Sequence, residues 1–418
     1  MSDYHVKGGN RLSGEVKISG AKNAVLPILA ASVITKGENI FTMCPDISDV
    51  ESMVKILNAL GCKVIRDGDT LCVNASYLSE CRIPDELMKE MRSSVFLAGS
   101  LLARCGEAVI SNPGGCRIGE RPIDLHIKGL RKMGVHVVHT AETIKLQAEN
   151  LKGAHISLDY PSVGATENLM LAAMAAEGVT RIENSAREPE IIDLQQYINR
   201  CGGCVKGAGT NVIEVIGGKD LKGCEHKIIS DRIEAGTYLL MALATEGEIL
   251  LKETDHRLIA PLISILEQSG YGIGYSKNEI WAKASGSEHV RCHIHTAPYP
   301  GFPTDLQPQL TAFLTKAGRG SSVEENIFEN RMEYVKQLKK MGADIEISEK
   351  KVIINNNNIL CGTDVKAEDL RGGAALIIAG LMAEGDTVIR NTKYIKRGYS
   401  KLEEKIRLLG GEIRENEK

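Results

Sequence analysis

The sequence predicts an α/β protein of two domains, each assembled from three compact units of about 70 residues. Three observations carry that expectation. A glycine followed by a short β-like run recurs along the chain. It reads LGCKV at Gly61, MGVHV at Gly134, CGGCV at Gly202, SGYGI at Gly270, MGADI at Gly342 and LGGEI at Gly410. The intervals are 73, 68, 68, 72 and 68 residues, a period too regular for chance and longer than the ~20–47 residues of most solenoid repeats. A second glycine set, Gly37, Gly106, Gly178, Gly247, Gly318 and Gly385, precedes the first one unit by unit. Finally, 418 residues suit two large domains better than one core.

The elements of a unit follow from its residues in order. Ala/Leu-rich runs such as LAAMAAEGVTRI, LMALATEGEIL and LIIAGLMAEGDTVI read as a helix, a glycine and then a strand. Glycine at the end of such a helix takes the left-handed conformation that caps it. The strand leads into an amphipathic helix, as in VESMVKILNAL or LISILEQ, and then the second glycine. No Pro/Ser-rich linker separates the halves, so the domains are expected to join through short strands near residue 230. The cleft between two such domains is the expected place for a site.

Composition excludes several classes. Hydrophobic residues make up 43% and charged residues 25%, a globular balance far from disorder. Fifty-one Lys+Arg against 54 Asp+Glu give a net charge of −3, so the chain as a whole is no electrostatic nucleic-acid binder. No apolar run reaches the ~18 residues of a membrane span, and Met1–Asn10 has no signal-peptide h-region, so a cytoplasmic protein is expected. Eleven cysteines, an odd and scattered set, fit reduced thiols rather than a disulfide framework.

A few segments carry chemistry. Lys22 and Asn23, in SGAKNAVLPILAAS, stand at a helix start, where free N–H groups favour an anion and the lysine adds a mobile positive charge. In SNPGGCRIGERPIDLH, Cys116 follows two glycines, with Arg117, Glu120 and Arg121 crowding the same loop. Such a thiol is exposed, and neighbouring arginines lower its pKa and make it reactive. CGGC at Cys201 and Cys204 imitates a redox or zinc half-site, but it falls on the repeat glycine and has no second CxxC, so it reads as structural. YPGFPTDLQPQ sets Asp305 in a Pro/Gly-rich loop entering a helix, where a carboxylate caps the helix or acts as a base. Arg331, Arg371 and Arg397 stand near helix or loop boundaries, and Asp231 with Arg232 opens DRIEAGTY.

SGAKNA, GGCRIGERPIDLH, PSVGATEN, REPEIIDL, DRIEAGTY, GFPTDLQPQ, ENRMEY, DLRGGAALIIAG and KRGYS, in that order from about Val6 to Tyr399, resemble the successive motifs of the UDP-N-acetylglucosamine enolpyruvyl transferase family. The resemblance implies the enolpyruvyl transferase fold: two inside-out α/β barrel domains of three repeats each. These would be residues 21–229 and residues 1–20 with 230–418, the site lying in the cleft between them. It implies addition of the 3′-hydroxyl of UDP-N-acetylglucosamine to C2 of phosphoenolpyruvate (PEP), followed by loss of phosphate. Cys116 matches the family's general acid to C3, which also forms a PEP adduct and is alkylated by fosfomycin. Asp305 matches the residue beside the 3′-hydroxyl, the candidate base. Lys22, Arg121 and Arg397 match groups around the PEP phosphate, and Arg331 and Arg371 those around its carboxylate. Arg92 matches a UDP-sugar contact, and Asn23 and Ile327 match sugar contacts. Arg121, Pro122, Ile123, Asp124 and Leu125, with Ser162, Val163 and Gly164, match the uridine and diphosphate site.

No metal, organic cofactor, nucleic acid, membrane or obligatory protein partner is implied. Arg117, Glu120 and Tyr394 (where relatives often have His) are departures that bear on loop dynamics and inhibitor rate. The alternatives are 5-enolpyruvylshikimate-3-phosphate synthase, against which the cysteine loop argues, and a catalytically silent UDP-sugar-binding paralogue, against which Lys22, Cys116, Asp305 and Arg397 argue.

Overall fold

The computed structural model describes residues 2–90, 95–111, 123–140, 142–286 and 289–417. They fall into two compact units, one of residues 20–229 and one of residues up to Ser19 together with those from Ser230.

In the first unit the helices Lys22–Ser32, Phe96–Cys105 and Val163–Ala173 pack against one another. Ala24 to Ser32 and Ala165 to Ala173 are buried without a break, so these helices have no solvent face. Their Ala-, Leu- and Gly-rich sequences permit that, since no charged stripe has to reach water. The helices Ser48–Ala59, Asp124–Lys132 and Pro189–Arg200 are amphipathic instead. Ser48–Ala59 buries Val50, Met53, Ile56 and Leu57, one stripe at helical spacing.

Among the described residues three sheets complete the unit, and their strands turn alternate side chains to the helices and to water, as in Thr70–Asn74 and Val179–Glu183. Glu225–Lys227, the last strand, pairs parallel with Glu38–Thr42, the first, placing Glu225 opposite Ile40 and closing the unit. The fold class is therefore α/β with the apolar helices inside.

The second unit repeats the plan. Arg232–Ala244, Gln307–Ala317 and Leu370–Met382 form its buried centre, and every residue of the first of these is buried. Ala260–Gln268, Glu333–Lys340 and Leu402–Leu408 are its outer helices. The N-terminal strand Ser2–Lys7 lies between Asp386–Arg390 and Glu412–Glu417, antiparallel to both, with Asp3 facing Arg390 and Asn416. Ser13–Lys17 runs parallel beside Glu248–Lys252.

The glycines need a correction. All six of the Gly61, Gly134, Gly202, Gly270, Gly342 and Gly410 set have φ between +89° and +97° and stand just past an amphipathic helix. Gly61 N–H bonds to Asn58 O and Cys62 N–H to Leu57 O, the paired bonds of a left-handed helix cap. In the set expected to cap helices, Gly106 and Gly318 directly follow their helices; Gly106 does so in the left-handed conformation, at φ +75°, and Gly318 at φ −114° does not. Gly37, Gly178 and Gly385 lie later, in the turn toward the strand. Glu246, at φ +57°, takes the left-handed position before Gly247. Gly247 is needed for room: a Cβ there would lie 1.9 Å from Leu12 O.

Candidate active site

In the second unit the segment GFPTDLQPQ becomes a short helical turn, Thr304–Leu306, feeding the helix Gln307–Ala317. Asp305 stands in this turn with its side chain 23% exposed. Its Oδ1 accepts from Arg331 Nη2 at 2.6 Å and its Oδ2 from Arg371 Nη2 at 3.0 Å. Both arginine side chains are only 3% exposed. Three residues expected near one another on resemblance are thus in direct contact.

Each arginine is held by other groups. Asp369 caps the helix Leu370–Met382 by accepting from Arg371 N–H and Gly372 N–H, both at 2.9 Å, which fixes Arg371 in the first turn. Its guanidinium lies 5.7 Å from the centre of the Tyr399 ring. The Tyr399 hydroxyl meets Thr237 Oγ1 at 2.9 Å and accepts from Gln309 Nε2 at 3.0 Å. Arg331 Nη1 donates to Thr304 Oγ1 at 2.8 Å, and its guanidinium lies 5.0 Å from the Phe328 ring centre. Thr304 in turn donates to Glu325 Oε2 at 2.8 Å. Glu325, fully buried, also accepts from Ile327 N–H at 2.8 Å and so shapes the turn that carries Ile327.

Burial pushes the Asp305 carboxyl up, but Arg371 and then Arg331 outweigh it and hold the group well below the usual carboxylate range. Asp305 is therefore a firm anion and, in this state, a weak proton acceptor. Burial works against the charge of Arg371, yet Asp305 and Tyr399 keep it cationic. Among the described residues, Arg331 Nε and Arg371 Nη1 are buried and make no hydrogen bond. Arg397, half-buried, ends the helical turn Thr392–Arg397.

In the first unit Lys22 opens the helix Lys22–Ser32, and its Nζ lies 2.7 Å from Asp49 Oδ2, both side chains nearly buried. The expectation of a mobile charge is corrected: Asp49, in the first turn of the neighbouring helix Ser48–Ala59, pins it. Asn23 follows, half-buried. Ser162 caps the helix Val163–Ala173, its Oγ accepting from Ala165 N–H at 3.3 Å. Val163 and Gly164 form the first turn, and a Cβ on Gly164 would lie 3.4 Å from Phe96. Ile123 precedes the helix Asp124–Lys132, with Asp124 exposed and Leu125 half-buried in its first turn. Cys116, Arg92, Arg121 and Pro122 lie outside the described residues, as do Arg117 and Glu120.

Glu167, on the helix that Ser162 caps, is fully buried, and among the described residues neither of its carboxyl oxygens has a hydrogen-bond partner. Burial, then Glu190 and Glu188, push its pKa well above the ordinary value, so it keeps its proton when folded. The unfolded chain releases that proton above its ordinary pKa, so the native state loses stability as pH rises toward the folded value. Glu167→Gln is neutral at every pH. Its stability relative to native should increase between about pH 5 and pH 8, measured as denaturation midpoints.

Residues 6–406 match the family described as EPSP synthase (3-phosphoshikimate 1-carboxyvinyltransferase). The chain is 46% identical over 413 residues to UDP-N-acetylglucosamine 1-carboxyvinyltransferase 2 of Caldanaerobacter subterraneus subsp. tengcongensis, covering 99% of each chain. The chain belongs to the UDP-N-acetylglucosamine 1-carboxyvinyltransferase family. Membership of this carboxyvinyltransferase family makes it an enzyme, a transferase. UDP-N-acetylglucosamine 1-carboxyvinyltransferase 1 of Carboxydothermus hydrogenoformans is 45% identical to it over 99% of this chain and 98% of its own.

Solved structures carry the fold likeness. The enolpyruvyl transferase NikO from Streptomyces tendae superposes with a TM-score of 0.90 at 24% identity, covering 99% of this chain and 98% of that one. EPSP synthase from Acinetobacter baumannii gives 0.76 at 19% identity over the full length of both. At these identities the likeness speaks for the carboxyvinyltransferase fold and not for an acceptor.

Sequence reasoning missed Asp49, Thr304, Glu325 and Gln309. Asp49 reads as an ordinary first-turn acid, and nothing around Glu325 signals that it holds two backbone N–H groups.

Proposed function

We propose that this chain transfers the enolpyruvyl group of PEP to the 3′-hydroxyl of UDP-N-acetylglucosamine, releasing phosphate, as the first committed step of peptidoglycan synthesis in the bacterial cytoplasm. The observation that carries the reading is the Asp305–Arg331–Arg371 group: two buried guanidiniums closed on a carboxylate, with further N–H donors uncommitted. Arginine forks suit a planar carboxylate, and here they are assigned the carboxylate of PEP. Lys22, Arg121 and Arg397 are assigned its phosphate. Arg92, Arg121 to Leu125 and Ser162 to Gly164 are assigned the UDP moiety, and Asn23 and Ile327 the sugar.

The chemistry needs an acid and a base. C3 of PEP takes a proton from the Cys116 thiol as the sugar hydroxyl attacks C2; C3 then gives up a proton as phosphate leaves. Asp305 is the base for the hydroxyl. Clasped by two arginines it is a poor one, and the PEP carboxylate competes for the same guanidiniums. As PEP takes them, Asp305 loses the charges that hold it down, while its burial remains and raises its basicity. The substrate thereby arms the base. Fosfomycin alkylates Cys116 in this reading, and no metal or organic cofactor enters it.

The test is the acceptor. Inorganic phosphate release from PEP should require UDP-N-acetylglucosamine and not occur with shikimate 3-phosphate. Release with shikimate 3-phosphate would favour the EPSP synthase reading. Folded protein that binds the UDP-sugar but releases phosphate with neither acceptor would be a silent paralogue.

A further inference from the structure

The thiols of Cys201 and Cys224 lie 3.3 Å apart within the first unit. This pairing differs from the CGGC motif, whose Cys204 starts the next strand, Cys204–Lys206. Cys201 ends the helix Pro189–Arg200 and is 3% exposed. Cys224 is half-buried and immediately precedes the strand Glu225–Lys227. Both backbones are anchored: Lys222 N–H bonds to Cys201 O at 2.9 Å, and Arg200 Nη1 donates to Glu225 O at 3.0 Å.

The two sulfurs are not equivalent. The hydrogen bond from Cys201 pushes the Cys224 thiol down, burial opposes this, and nearby Arg200 pushes it down further. The same hydrogen bond and burial push Cys201 up. Burial instead pushes Cys44 up to about 12 and Cys62 to about 11. Cys224 combines partial access, a cationic neighbour and a partner thiol in contact.

We propose that Cys201 and Cys224 are an oxidation site, in which a hydroperoxide converts the pair to a disulfide that clips the helix end to the neighbouring strand. The Cys224 thiolate attacks the peroxide oxygen, giving a sulfenic acid and, for hydrogen peroxide, hydroxide. The Cys201 sulfur then attacks the Cys224 sulfur; the S–O bond breaks, and the Cys201 proton with the departing hydroxide leaves as water. The proton that the Cys224 thiol released on ionising converts the first hydroxide to water, so two thiols lose two electrons and one hydrogen peroxide is reduced to two waters. The sulfurs close from 3.3 Å to the ~2.05 Å of a disulfide, a short movement for two side chains already in contact. The proposal does not involve Cys116 and is independent of the enolpyruvyl reading.

The test treats the full chain with equimolar hydrogen peroxide, alkylates the remaining thiols with iodoacetamide, and maps tryptic peptides by mass spectrometry. The expected product joins the peptide containing Cys201 to the one containing Cys224. It is about 2 Da lighter than the two together and is released by dithiothreitol. Cys204→Ser should keep the link; Cys201→Ser should leave Cys224 as a sulfenic or sulfinic acid. Cys201 and Cys224 both alkylated while other thiols oxidise would overturn the proposal. So would a link that is lost in Cys204→Ser.

Discussion

Asp305→Asn should turn over about 10²–10⁴-fold more slowly than the native chain while binding PEP more tightly. The two effects come from one pair of contacts. In the native chain the Asp305 carboxylate occupies Arg331 and Arg371, so on the proposed assignment PEP must displace it to be held by the same guanidiniums. A neutral amide frees both arginines. The gain in PEP affinity should be roughly tenfold, about 1.4 kcal/mol. The amide cannot accept the hydroxyl proton, so kcat falls. Without PEP the variant leaves two buried cations short of their anion; with Asp305 partly exposed the cost is about 2 kcal/mol, less than for a fully buried pair. PEP should therefore raise the melting temperature of the variant more than that of the native chain. Weaker PEP binding in Asp305→Asn would contradict the exchange.

Arg371→Met should lower kcat/KM for PEP by about 10²–10³-fold, the loss expected when one partner of a buried charge pair is truncated. Methionine keeps an apolar stem against Tyr399, so the packing loss is small. UDP-N-acetylglucosamine binding, measured calorimetrically, should change little. Asp305 would keep Arg331 and lose Arg371, the larger of the two influences holding its carboxyl down. A base with a raised pKa needs a higher pH to be ionised, so the acid limb of the pH–rate profile should move upward. Arg371→Lys should recover only part of the loss, since an ammonium cannot offer two parallel donors. An unchanged KM for PEP would remove Arg371 from the carboxylate site.

The sequence exposes those parts of this molecule that local chemistry dictates. Gly61 and its five counterparts are legible because a helix cap near φ +90° is costly for any residue with a Cβ, so the same residue recurs. The other glycine set is misread because those glycines serve several needs: Gly106 caps a helix, whereas Gly247 makes room beside Leu12 O. Ser2–Lys7 has no local signal of its partners, which lie at the far end of the chain.

At the site, Asp305 is recognisable as a carboxylate in a Pro/Gly-rich turn. Its grip on Arg331 and Arg371 is not, because 26 and 66 residues separate the partners and only the packed helices bring them together. Lys22 is conspicuous at its helix start, but Asp49 looks like an ordinary first-turn acid. The CGGC spacing draws attention to Cys204, while the true neighbour of Cys201 is Cys224, 23 residues on and returned beside it where Lys222 N–H bonds to Cys201 O.

The most direct test of the account is the identity of the product. The purified chain, given PEP and UDP-N-acetylglucosamine, should convert the sugar nucleotide to a species heavier by one enolpyruvyl group, with one phosphate released per product. Prior fosfomycin, with its mass found on Cys116, should abolish both. Phosphate released without the heavier nucleotide, or no reaction from folded protein, would contradict the assignment of this chain as an enolpyruvyl transferase acting on UDP-N-acetylglucosamine.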